Sequence, residues 1–331
     1  MAPLWIALAL LAMHSLPPTT SVNIGLCYGS RSNKSNHVPV QTAVDALKKY
    51  DVQDVRLYDY DPEFLSASRN ASYSVLVSVP NEELPFLASS KANATAWFNK
   101  NLKPFIDTVL FSYIAVGNEA FSTYYVDSIR PAMDNLQSLL TANGLTGVRV
   151  STLVSKAVFQ DWDTPPSNVT FRKSILKQIT EVVAFLEKYS SPLLLNVFPH
   201  QFVDYQPNPQ EYIYLALFTS NVTLSDGNLQ YYNLLDYIVD GFRWAMKKVG
   251  STTLDVVVAQ TGWPRKNAPA VAGTYNKNFV QHVQSLKGTP MKPNTYLQGY
   301  IFEMYNNIEA EDTYDYYGVF NRDNTLINPI F

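Results

Sequence analysis

The chain cannot rely on disulfides: Cys27 is its only cysteine in 331 residues, so no intramolecular bridge can form in any redox compartment. Charge of one sign is equally scarce. Twenty-five Lys and Arg stand against 28 Asp and Glu, a formal net charge of −3, and without a basic run the electrostatic footprint of a nucleic-acid binder is missing. No apolar stretch reaches the about 20 residues that span a bilayer, and the closing "INPIF" (Ile327 to Phe331) offers no lipid-anchor signal. No nucleic acid and no membrane are therefore expected as partners. The four histidines and the lone cysteine fall into no cluster with metal-ligand spacing. No metal and no cofactor are expected.

What the chain does have is core. Apolar residues make up 47% and aromatics 13% of it, so a domain of roughly 300 residues can stand on burial alone. Residues 1–21 are set apart: the apolar "LWIALALLAM" (Leu4 to Met13) runs into a proline-bearing tail with Thr19 and Ser21. That is the pattern of a secretory signal peptide, and it predicts a secreted protein, extracellular or in the cell wall. Glycosylation sequons at Asn33, Asn70, Asn93, Asn168 and Asn221 are expected on exposed loops.

Short β-branched runs recur over residues 22–331: Val22 to Cys27, Val52 to Tyr58, Ser74 to Val79, Tyr113 to Val116, Val148 to Thr152, Leu193 to Val197, Leu254 to Ala259 and Thr295 to Phe302. Most are continuous rather than alternating, as in strands covered on both faces. Helical spacing lies between them, at Pro39 to Lys49, Ala94 to Val109, Asp127 to Ala142, Arg172 to Tyr189, Tyr231 to Val249 and Asn276 to Leu286. Eight such repeats in about 310 residues predict an α/β fold, a single-domain (β/α)8 TIM barrel. An open dinucleotide-binding sheet is disfavoured, because "GLCYGS" (Gly25 to Ser30) lacks the G-x-G-x-x-G spacing.

In such a barrel the chemistry sits at the C-terminal ends of the strands. Those ends carry rings (Tyr28, Tyr58, Phe198, Trp263), amides (Asn118, Asn196, Gln260) and one carboxylate, Glu119, with Asp59 nearby. Rings stack on the CH faces of sugars and amides bond their hydroxyls, so the set suits a polysaccharide better than a phosphate or a metal. His200, alone at its strand end, reads as a polar cleft residue rather than a ligand.

The chain resembles the plant β-1,3-glucanases of glycoside hydrolase family 17. The likeness is carried by "IGLCYGS" (Ile24 to Ser30), "VRLYD" (Val55 to Asp59), "YIAVGNE" (Tyr113 to Glu119), "RPAMDN" (Arg130 to Asn135), "SPLLLNVFP" (Ser191 to Pro199), "ALFTS" (Ala216 to Ser220), "GWP" (Gly262 to Pro264) and "YGVF" (Tyr317 to Phe320). The resemblance implies a (β/α)8 barrel with a glucan groove and retaining endo-hydrolysis without a cofactor. It also implies β-1,3-glucan or a related cell-wall polysaccharide as partner, and a monomer is expected.

The resemblance also assigns roles. The family's acid/base glutamate falls on Glu119, and its nucleophile falls on Gln260, where this chain has an amide. Retaining glycosidases need two carboxyl groups about 5–5.5 Å apart, and a carboxamide neither attacks nor stabilises a developing cation. Loss of one such electrostatic contact lowers the rate roughly 100- to 1,000-fold. The family's strand-eight stretch becomes "FEMYNNIEA" (Phe302 to Ala310), with Asn307 in place of a supporting glutamate and Ala310 in place of a lysine. Glu303, counted back along a strand from Asn307, is expected roughly 13 Å deeper in the barrel and out of reach. An inverting route would need Glu309, Glu311 or Asp312. Three uses of the site follow: glucan binding with hydrolysis lost or strongly impaired, an active hydrolase or transglycosylase with a substitute base, and a non-catalytic scaffold for a protein partner.

Overall fold

A computed structural model describes residues 24–29, 38–204, 206, 208–219, 224–265, 269–306 and 316–331. The signal-peptide reading of residues 1–21, the sequons at Asn33 and Asn221, the altered positions Asn307 and Ala310, and the candidate bases Glu309, Glu311 and Asp312 lie outside the described residues. Eight strands close into a parallel barrel: β1 (Ile24–Tyr28), β2 (Asp54–Leu57), β3 (Ser74–Val79), β4 (Leu110–Asn118), β5 (Arg149–Val154), β6 (Leu193–Asn196), β9 (Val256–Thr261) and β10 (Gln298–Ile301), in spatial order β1-β10-β9-β6-β5-β4-β3-β2. Each of the eight expected strands is present. The fold is a single-domain (β/α)8 barrel.

The continuous apolar runs are explained by burial on two sides. Cys27, Leu76, Tyr113, Ala115, Leu153, Leu194, Val257, Ala259 and Tyr300 fill the barrel's interior, while alternate residues such as Val55, Leu57 and Val77 face the surrounding helices. The helical ring includes α1 (Val40–Lys49), α4 (Lys91–Asn101), α5 (Val126–Ala142), α6 (Leu176–Lys188), α9 (Leu234–Lys248) and α10 (Pro269–Gln284). In α1 the buried residues Val40, Ala43, Val44 and Leu47 make one apolar stripe. Lys48 and Lys49 in its last turn complement the helix dipole.

The boundaries differ from the sequence reading where proline and short length intervene. The helix expected over Ala94 to Val109 stops at Asn101 and gives way to a single turn, Lys103–Phe105, because Pro104 cannot continue an α-helical ladder. Short elements were not legible from periodicity: α2 (Pro62–Ala67), α3 (Leu84–Ser89), α7 (His200–Val203), α8 (Pro209–Ala216) and the hairpin β7 (Leu224–Asp226) and β8 (Leu229–Tyr231). One or two turns hold too few positions to show a period. Of the sequons, Asn70 and Asn168 are exposed. Asn93 departs from the loop expectation: it lies in the first turn of α4, with its side-chain amide donating to Ser89 Oγ at 2.8 Å.

Candidate active site

The turn after β4 sets the carboxylate. Gly117 has φ +79°, and a Cβ there would lie 2.9 Å from Asn81 Oδ1, Leu84 Cδ1 and Ala120 Cβ, so only glycine fits. Asn118 follows, clasped from both sides: its N–H donates to Asn81 Oδ1 at 2.8 Å and its carbonyl accepts from Asn81 Nδ2 at 3.0 Å. Glu119 is then held in the left-handed region at φ 54°, its N–H donating to Leu153 O at 3.0 Å. A non-glycine residue in that region is uncommon and persists where its surroundings fix it.

Both oxygens of Glu119 are occupied. Asn196 Nδ2, at the end of β6, donates to Oε1 at 2.6 Å, and Ser155 Oγ, just past β5, donates to Oε2 at 2.7 Å. Hydrogen bonds to an ionised carboxylate are among the strong ones. Asn196 Nδ2 also lies 3.1 Å from Asn118 Oδ1, so three strand ends meet at one carboxylate.

Arg56, at the centre of this arrangement, was not singled out from the sequence. It is fully buried, and its Nη1 donates to Asn196 Oδ1 at 3.0 Å, to Ala259 O at 3.0 Å and to Gln260 Oε1 at 2.9 Å. Its Nη2 donates to Asn118 Oδ1 at 3.0 Å, and its guanidinium stands 4.7 Å over the Tyr58 ring. No carboxylate among the described residues forms an ion pair with it. The Tyr58 hydroxyl donates to the same Gln260 Oε1 at 3.1 Å. Burial pushes the Tyr58 phenol well above its ordinary range, which keeps it a neutral donor. Gln260 thus has two donors aimed at one oxygen, the arrangement a carboxylate would use.

Cys27 itself offers no substitute nucleophile. Its Sγ, inside the barrel, contacts Ala259 O at 3.5 Å, and burial, partly offset by Arg56, raises the thiol to about 11. It stays protonated and inert.

Four aromatic residues line one wall. Phe302 stands edge-on to Tyr58, Phe198 and Tyr317 at 6.2, 6.0 and 5.0 Å between ring centres. His200 sits behind them, 5.6 Å from both Phe198 and Trp263, with Nε2 at 3.3 Å from the Tyr317 hydroxyl. Burial lowers its imidazole to about 4, so it packs as a neutral ring.

The structure therefore gathers Tyr58, Asn118, Glu119, Asn196 and Gln260 around Arg56, with Phe198 on the wall. It does not bring Tyr28 or Trp263 to the same surface. Tyr28 is buried, its ring 4.9 Å from Phe64 of α2 and its hydroxyl donating to Val38 O at 3.4 Å. Trp263 is buried between His200 and Tyr275. Asp59 is also buried, with Oδ1 accepting from the Asp61 N–H at 2.9 Å.

Glu303 stands elsewhere than the sequence predicts. β10 ends at Ile301, so counting along a strand from residue 307 does not apply, and Glu303 is not deep in the barrel. It follows the strand's C-terminal end, half-buried, with its carbonyl accepting from Val319 N–H at 3.0 Å and the next N–H, of Met304, donating to Cys27 O at 2.9 Å. Its charge acts on both the Tyr58 phenol and the Cys27 thiol.

A closed parallel barrel whose strand ends converge on one hydrogen-bonded carboxylate, amides and an aromatic wall defines a (β/α)8 barrel of glycoside-hydrolase type. Residues 24–330 match the model of glycosyl hydrolases family 17, and the chain belongs to that family. It is 34% identical over 311 residues to a glucan endo-1,3-β-glucosidase of Vitis vinifera, covering 90% of this chain and 88% of that protein. A probable glucan endo-1,3-β-glucosidase of Arabidopsis thaliana is 32% identical over 310 residues, covering 92% and 89%. Among solved structures, a β-1,3-glucanase and allergen of Cryptomeria japonica pollen superposes with a TM-score of 0.84 at 31% identity, covering 93% of this chain and 98% of that one.

Proposed function

We propose that this chain is a secreted β-1,3-glucan-binding member of its family in which hydrolysis is lost or strongly impaired. The observation that carries this reading is the neutral amide of Gln260, placed between the Arg56 guanidinium and the Tyr58 hydroxyl, where the family resemblance puts a nucleophilic carboxylate. Glu119, held by Asn196 and Ser155, takes the acid/base position. Asn118, Asn196, Tyr58 and Phe198 offer sugar hydroxyls and CH faces the contacts they need. Without an anion at residue 260, no glycosyl ester forms and an oxocarbenium-like centre goes unstabilised.

The experiment pairs binding with turnover. Titration with laminari-oligosaccharides is expected to show binding, while reducing-end release from laminarin stays at background. Cleavage with retained anomeric configuration, or a glycosyl adduct trapped on the chain, would refute the reading. Absence of binding at millimolar ligand would instead favour a scaffold for a protein partner.

One observation favours a second reading, hydrolysis through a substitute base. Glu303 places a half-buried carboxylate just beyond β10, with its charge acting on the tyrosine that bonds Gln260. In that case the wild type turns over laminarin, the product anomer is inverted, and Glu303→Gln abolishes the activity.

A further inference from the structure

Tyr124 is 86% exposed, the largest exposure of any large apolar side chain among the described residues. Single exposed aromatics are ordinary on protein surfaces, but this one differs in place and in rigidity. It follows Glu119 by five residues, on the loop at the C-terminal end of β4, so the two Cα atoms lie within about 18 Å of each other. Its loop is also pinned. Phe121 is buried in the core, Thr123 N–H and Thr123 Oγ1 both bond Ala120 O at 3.1 and 2.8 Å, and Tyr125 N–H donates to Thr123 Oγ1 at 3.1 Å. Arg172 Nη2 holds Ser122 Oγ at 3.2 Å from the other side.

The ring itself is fixed by its neighbour. Tyr124 and Tyr125 have ring centres 4.1 Å apart at 40°, and their hydroxyls are 2.7 Å apart. Tyr125 immediately precedes α5, so the pair is mounted on the helix end. The hydrogen bond with Tyr124 raises the Tyr125 phenol, with a smaller contribution from Glu82 of the turn after β3. An aromatic held this way presents a wide ring face at little entropic cost on binding.

We infer that Tyr124, supported by Tyr125, is a stacking platform for a glucose unit of a β-1,3-glucan at the end of the groove beyond Glu119, on the side away from the Phe198 and Phe302 wall. The inference rests on the glucan-binding reading of the groove. It commits the occupant to the same chain bound at the centre, because the platform continues that strand-end surface and stands on the loop that carries Glu119. The platform engages only oligosaccharides long enough to reach it, so it makes affinity depend on length.

The test is calorimetric titration of the full chain with laminaritriose through laminarihexaose, for the wild type, Tyr124→Ala and Tyr124→Phe. Tyr124→Ala is expected to weaken the hexaose by about 3- to 10-fold and to leave the triose unchanged. Tyr124→Phe, which keeps the ring, is expected to retain wild-type affinity. Equal hexaose affinity for wild type and Tyr124→Ala overturns the platform while the groove reading stands. An equal loss at every length also overturns it, since the side chain then acts on the whole site. No binding of any oligosaccharide by the wild type removes both.

Discussion

Arg56 Nη1 stands 2.9 Å from Gln260 Oε1, a buried guanidinium facing an amide at the spacing of an ion pair. An ion pair at this spacing would need an anion at residue 260, where the chain has a neutral amide. Replacing Gln260 with Glu adds a charge where two donors already point, so little rearrangement is required. Gln260→Glu is expected to raise reducing-end release from laminarin by at least about 100-fold over the wild type, with retained anomeric configuration read by NMR of the product. No increase in a folded variant would mean that residue 260 is not the missing component.

Glu119 has different consequences in the two backgrounds. In the wild type its carboxylate is fastened by Asn196 and Ser155, and on the proposed reading it has no partner for double displacement. Glu119→Gln is therefore expected to leave the background rate unchanged. In Gln260→Glu the same change removes the acid that protonates the leaving oxygen, a role usually worth 100- to 10,000-fold. The four proteins form a double-mutant cycle whose coupling is large only if the two residues act on one bond. Additive effects would contradict the shared site.

The contrast between what was legible and what was not follows from side-chain period. The eight strands could be read because apolar residues run continuously through them. Glu119, Asn118, Asn196 and Gln260 could be read because each ends such a run. Arg56 was passed over as one charge in "VRLYD", yet the signal was present: Asp54, Arg56 and Tyr58 alternate with Val55 and Leu57, which face the helices. Three polar or amphipathic residues on one face of a strand that is covered on both sides point into the barrel. Tyr28 packs against Phe64 of α2 and Trp263 between His200 and Tyr275, since the presence of a ring near a strand end does not encode the way it turns. Glu303 follows the ladder of the eighth strand, which ends at Ile301 where the apolar run predicts Phe302. The contribution of Tyr124 lies in its exposure and its pairing with Tyr125, which no local pattern encodes.

Gly262 lies two residues past Gln260, and its missing side chain is a requirement of the site. A Cβ there would meet the Phe302 carbonyl oxygen at 2.4 Å and the Tyr317 ring at 3.1 Å. The adjoining ladder is tight, with Phe302 N–H donating to Thr261 O at 2.7 Å, so backbone rather than a flexible tip would have to shift. Gly262→Ala is expected to lower stability by about 1–3 kcal/mol, read as a fall in urea midpoint at constant slope. It should also weaken oligosaccharide binding, since Phe302 and Tyr317 form part of the aromatic wall. An unchanged midpoint would show that the strand ends separate freely.

Buried Asp240 and half-buried His200 pull stability in opposite directions as pH changes. Asp240 accepts from the Met291 N–H at 2.8 Å and from the Thr289 hydroxyl, with Arg243 Nε at 3.6 Å. Burial nonetheless lifts its carboxyl from 3.8 to about 6. The native state then binds the proton more tightly than the unfolded chain, so the stabilisation is complete below about pH 3.8 and is lost as pH rises through about 6. His200 has the opposite sign. Burial lowers it from 6.5 to about 4, the unfolded chain binds the proton more tightly, and stability is full above about pH 6.5 and lost as pH falls through about 4. Between about pH 4 and 6 the two slopes oppose, each at most about 1.4 kcal/mol per pH unit. Asp240→Asn is expected to leave a stability that climbs with pH across that window, and His200→Gln one that declines, both measured by urea unfolding at half-unit steps and judged against the flatter wild-type profile. Slopes unaltered by either change would place the titration elsewhere in the chain.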